Sequence, residues 1–138
     1  MLRPLVALSV AIVACGGTGK RETSALVSAV DRYRRSDNAS KVAEVQKVAD
    51  VACSHPRVCD AKRACLAAMG PTARALAVKE EVARRLADIE EMRLSVDASD
   101  ARGLPAKLDE AERLLNEGRS KMPDCEKQLT DLVVEHGG

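Results

Sequence analysis

The sequence predicts an all-α fold, a small antiparallel bundle of five or six helices stapled by two disulfides. Three observations predict it. Apolar residues recur at spacings of three and four, with no alternating strand pattern. Clusters of Gly, Pro, Ser, Asp and Asn punctuate those segments at short intervals, so neighbouring helices run antiparallel. Four cysteines, Cys53, Cys59, Cys65 and Cys125, follow an N-terminus with export features, and an even number of cysteines in an exported chain reads as disulfides.

The N-terminus comes first. Arg3 is the single charge before Leu5–Ala14, a ten-residue run that is apolar except for Ser9. This is the layout of a secretory signal peptide. Ten helical residues rise only about 15 Å, half of what a membrane span needs. The run ends at Ile12-Val13-Ala14-Cys15-Gly16, which resembles the lipobox of bacterial lipoproteins. The resemblance implies cleavage before Cys15 and lipidation of Cys15 by diacylglycerol on its sulfur, usually with a further acyl chain on the new amine. Two or more chains hold a protein stably to a bilayer. The expected organisation is a signal peptide over 1–14, a lipidated N-terminus and tether over 15–21, and a helical domain over 22–138. The protein is then exported and anchored to the cell envelope, on an inner or outer membrane.

Composition narrows the partners. Of 22 Lys and Arg and 21 Asp and Glu, the signal removes Arg3 and no acid, leaving 21 of each sign. A neutral exported domain has no electrostatic drive toward nucleic acid. With no Phe, no Trp and one Tyr, the core must be built of Ala, Val and Leu, and its helices must approach closely.

The helices follow in order. Leu26, Val30 and Tyr33 mark a first helix over Glu22–Arg35. Ser36-Asp37-Asn38 breaks it, and a second helix over Ala39–Ala52 carries Val42, Val45, Ala49 and Ala52 on one face. Cys53-Ser54-His55 is a turn, and Pro56 opens a third helix with Val58, Ala61, Cys65 and Ala68 aligned. Gly70-Pro71-Thr72 is expected to end it. A fourth helix over Ala73–Val96 bears Ala75, Val78, Val82, Leu86, Ile89, Met92 and Val96, with Glu80–Arg84 and Glu81–Arg85 as favourable pairs four apart. After a polar loop over Asp97–Gly103, Pro105 opens a fifth helix with Leu108, Ala111, Leu114 and Leu115. Pro123 marks a kink or a new start before Cys125, Leu129, Leu132 and Val133. Met69, Met92 and Met122 are expected as core filler.

The cysteine pairing can be narrowed. Cys59 and Cys65 lie about 9 Å apart along one helix and on different faces, too far for a bridge. Folding the helices back at turns near Pro56, Gly70 and Asp100 sets Cys53 beside Cys59, and Cys65 level with Cys125. The expected pairing is therefore 53–59 and 65–125, with 53–65 and 59–125 second.

No catalytic constellation stands out. No serine has a nucleophile-elbow setting, and nothing selects two carboxylates from 21. Cys53-x-His55 offers two ligands to a soft metal, but Cys53 is spent in a disulfide and a site needs three or four. His55 reads as a solvated turn residue and His136 as part of a disordered tail, so no metal and no cofactor is expected. Arg32, Arg34 and Arg35 end the first helix, where the helix dipole favours cations; a patch against anionic headgroups is the alternative. Val58-Cys59-Asp60-Ala61-Lys62-Arg63-Ala64-Cys65 and Pro71-Thr72-Ala73-Arg74 are similar to uncharacterised helical lipoproteins of GC-rich bacteria, a resemblance that brings no function. The expectation is a non-catalytic binding or scaffold module, not an enzyme. It meets the membrane through its lipid and an envelope protein through its helices. A small-ligand or metal-binding sensor is the alternative.

Overall fold

The computed structural model describes residues 17–137, all in helices and their connections. The helices are α1 (Gly17–Arg35), α2 (Lys41–Ala49), α3 (Pro56–Glu90), the single turn α4 (Ser99–Arg102) and α5 (Leu104–His136). Four helices longer than one turn replace the five or six expected.

The difference lies at the prolines. Gly70-Pro71-Thr72 does not end a helix: α3 runs through it for 35 residues, about 52 Å. Pro71 removes one intrahelical bond and crowds the preceding turn, at a cost of about 3 kcal/mol. Neighbouring contacts hold the helix through it, though none of them replaces the bond lost at the Ala67 carbonyl. Pro71 is buried, the Thr72 hydroxyl donates to the Ala68 carbonyl at 3.0 Å, and the Tyr33 hydroxyl reaches the Met69 carbonyl at 3.4 Å. On the facing helix stands Gly118, where a Cβ would lie 2.6 Å from the Ala68 carbonyl oxygen. Only glycine lets α5 come this close. Pro123 likewise sits inside α5 and neither ends nor restarts it; its side chain is exposed.

The molecule is built on the antiparallel pair α3 and α5. Arg57–Glu135, Cys65–Cys125 and Glu81–Lys107 are successive cross-pairs, each advance along α3 matched by a retreat along α5. The disulfides are Cys53–Cys59 and Cys65–Cys125, with Cα separations of 5.1 and 4.5 Å. This is the expected pairing, reached by another route. Cys65 meets Cys125 directly across a two-helix hairpin centred near residue 95, not through an intervening helix turned at Gly70.

α1 and α2 cover one end of the hairpin. There Leu26, Val30 and Tyr33 of α1 pack with Val58, Ala61, Cys65 and Ala68 of α3, and with Cys125, Leu129 and Leu132 of α5. These stripes match the expected ones except at Val133, which is exposed. α2 does not: it ends at Ala49, and its anchor is the fully buried Val48, while Val42 and Ala52 are exposed. A second, smaller cluster of Ala75, Ala111 and Leu114 lies farther along the hairpin. Beyond it the two helices run on as an arm, held near its end by Val82 and Leu104 and crossed by Glu81–Lys107 and Arg85–Asp100. Glu81 thus pairs across to α5 instead of with Arg85.

α3 ends at Glu90, six residues short of Val96. The Arg93 amide donates to the Asp88 carbonyl and the Met92 amide to that of Ile89, with Met92 at φ 58°. That is a Schellman termination with methionine in the left-handed position glycine usually takes. Met92 is consequently 94% exposed, not core; Met69 is buried and Met122 packs beside it.

Candidate functional site

Three chain segments meet at the covered end of the hairpin: the start of α1, the turn into α3 and the end of α5. Residues 17–21, expected as tether, are instead the first turns of α1. Gly19 is buried against His136, whose ring atoms a Cβ at Gly19 would meet at 2.8 Å. Cys15 lies outside the described residues.

Glu22 organises the turn. No side chain of α3's own N-cap residue, His55, caps the helix. The Glu22 carboxylate, reaching from α1, accepts from the Ser54 amide at 2.8 Å, the Ser54 hydroxyl at 2.6 Å and the His55 amide at 3.0 Å. The Ser54 hydroxyl, then the His55 amide, hold its carboxyl below the usual carboxylate range, against the opposing effect of burial. The Cys53–Cys59 bridge closes the same turn, with His55 inside the loop. His55 therefore sits on backbone fixed from both sides.

The two histidines come together here. Their ring centroids lie 5.0 Å apart, edge to face. His55 Nδ1 and His136 Nε2 are both buried and have no hydrogen-bond partner among the described residues. Each such group costs about 1–3 kcal/mol when its bond to water is not replaced. Glu135 stands beside them. Its Oε2 is 3.4 Å from Arg57 Nε, and its Oε1 is 4.0 Å from His136 Nε2. One ligand atom each from His55, Glu135 and His136 lie within 4.8 Å of one another.

The reading of His55 as a solvated turn residue and of His136 as tail is overturned. His136 closes α5, and its side chain is 15% exposed. The signal was in the spacing: Cys125, Leu129, Leu132 and His136 are four, three and four apart, so His136 continues the buried stripe. His55 carried a weaker signal, its place between Cys53 and Cys59.

The remaining expected features lie elsewhere. Cys65 and Cys125 are in the core, distant from this end. Arg34 pairs with Glu126 and Arg35 with Asp31, while Arg32 approaches Glu44 at 3.9 Å. These arginines stand at the opposite end of α1 from Gly17. Among the described residues no helix is long and apolar enough to cross a membrane.

No protein-family model matches this chain, and no curated protein or solved structure does.

Proposed function

We propose that this protein is a lipid-anchored, non-catalytic binding module of the bacterial cell envelope, held at Cys15 with the α3–α5 arm directed away from the bilayer. The observation that carries the reading is the lipobox-like Ile12-Val13-Ala14-Cys15 standing directly before the first turn of α1. With so short a connection, the end bearing Gly17, His55 and His136 faces the lipid surface. The full length of α3 then sets the loop up to about 50 Å from that end. Among the described residues, four of the seven large apolar side chains left exposed belong to this arm: Leu86, Met92, Val96 and Leu108. Exposed apolar side chains concentrated in one part of a molecule favour contact with another protein.

Cys15→Ser tests the anchor. The variant is expected to lose labelled palmitate and to shift from the membrane fraction to an unprocessed or soluble form. Unchanged lipid labelling would refute the anchoring. Photocrosslinking from Met92 and Val96 in intact cells tests the arm: a defined adduct is expected there and not from Val134, whose exposure at the other end lies between theirs.

A further inference from the structure

We infer that His55, Glu135 and His136 form a binding site for a divalent transition-metal ion of zinc-like preference, with three protein ligands and one coordination position left open. This inference stands independently of the anchoring. One nitrogen of each imidazole and one carboxylate oxygen already lie within 4.8 Å of one another. Ligands around a tetrahedral zinc ion, at bond lengths of about 2.0–2.1 Å, are separated by roughly 3.3 Å. The contraction needed is about an ångström or more, and Glu135, exposed at the helix end, has the freedom to supply much of it. Each imidazole also has a buried nitrogen with no partner among the described residues, and a metal ion would satisfy such a nitrogen.

The donor set chooses the class of ion. Two imidazoles and one carboxylate suit zinc, copper(II), nickel or cobalt; calcium and magnesium take oxygen ligands throughout. The cysteines do not compete, since all four in the described residues are bridged. The groups behind the ligands also fit. Arg57 engages Glu135 Oε2 and leaves Oε1 toward His136, as outer partners orient a ligating carboxylate. Glu22 and the Cys53–Cys59 bridge fix the backbone of His55. Gly19 provides the room in which the His136 ring lies.

The test uses the full-length protein, oxidised, in mild detergent and without a polyhistidine tag. Titration calorimetry with zinc chloride is expected to show one ion per chain in the micromolar range or tighter. Cobalt(II) should give the visible absorption of a four-coordinate site. His55→Ala with His136→Ala should abolish both. Glu135→Gln, a change at an exposed residue that leaves the fold intact, should weaken zinc by about tenfold or more. At equal zinc concentration, zinc should raise the unfolding temperature of the wild type most, of Glu135→Gln less, and of the double histidine variant not at all. No saturable zinc binding to the wild type overturns the proposal. So does zinc binding that Glu135→Gln and the double variant leave undiminished.

Discussion

At the scale of single residues, charged side chains from neighbouring helices close helix ends that their own caps leave open. Glu22 of α1 takes the free amides at the start of α3. The Lys41 ammonium donates to the Tyr33 and Arg34 carbonyls at the end of α1 and lies 4.6 Å over the Tyr33 ring. Lys62 donates to Ala49 at 2.9 Å and to Val51 at 2.8 Å, closing α2. Each places a charge where the helix dipole favours it. Sequence spacing hides such caps, because donor and acceptor are 7 to 33 residues apart. Glu22 carries a pH dependence with a definite sign. Its folded-state pKa is depressed, so its contribution is complete above the unfolded carboxylate range, about 4.3, and is lost as pH falls through the lower folded value. Glu22→Gln replaces one acceptor oxygen with an amide that faces donors. The variant should unfold at a lower temperature than wild type at neutral pH, and the gap should close in acid. Circular dichroism melts from neutral to acid pH would show this. A gap that stays constant with pH, or none at neutral pH, would refute the role.

At the scale of elements, the disulfides divide the work unequally. Cys53–Cys59 closes a separation of 6 residues and Cys65–Cys125 one of 60. In the chain-entropy treatment these are worth about 2 and about 4 kcal/mol. Cys65 and Cys125 are also fully buried, so replacing them thins the packing as well. Urea unfolding should therefore show Cys65→Ala with Cys125→Ala costing at least about 2 kcal/mol more than Cys53→Ala with Cys59→Ala. Equal costs, or the reverse order, would be incompatible with Cys65–Cys125 as the main staple. Cys53–Cys59 was legible because the turn before Pro56 stands where the sequence places it, whereas Cys65–Cys125 was expected through a turn at Gly70 that the fold does not make. The faces Leu26–Val30–Tyr33 and Val58–Ala61–Cys65–Ala68 were legible because a 3.6-residue period needs no partner to be seen. The continuity of α3 was not. Locally, Gly70-Pro71-Thr72 spells a stop, and what overrides it is Gly118, 47 residues away, admitting α5 against Ala68 and Thr72. The end of α3 was hidden in the opposite way, since Met92 occupies a left-handed cap without the glycine that would announce it. The histidine site was half legible, its His136 in register with the stripe of α5 and its His55 placed only by Glu22, 33 residues back.

At the scale of the whole molecule, packing is uneven along the hairpin. At the covered end, α3 and α5 are backed by α1 and α2, and the larger core contains the single tyrosine, the long-range disulfide and most of the buried leucines. Past Ala75 the second cluster has only Ala111 and Leu114 fully inside, with Val78 and Leu115 at its margin. From there to the tip, two helices face water on every side but one. Leu86 and Leu108, on the stripes expected to pack, remain 47% and 42% exposed. The cross-pairs Glu81–Lys107 and Arg85–Asp100 are exposed, and exposed ion pairs contribute about 0–1 kcal/mol each. Apolar burial is the main source of helix stability in proteins, so the arm is held less firmly than the end it grows from. Native-state hydrogen exchange resolves this. Amides at Val82–Glu90 and Leu108–Leu114 should exchange through local openings that leave the core closed. Those at Val58–Met69 and Cys125–Leu132 should exchange only with global unfolding, and more slowly by about tenfold or greater. The disulfide sharpens the boundary, because opening can travel inward from the tip only as far as Cys65–Cys125 without unfolding the bundle. Uniform protection along both helices would mean that the hairpin is one cooperative unit and that the smaller cluster suffices to hold it. A gradient falling toward Met92 would identify the arm as the segment free to adjust its shape to a partner.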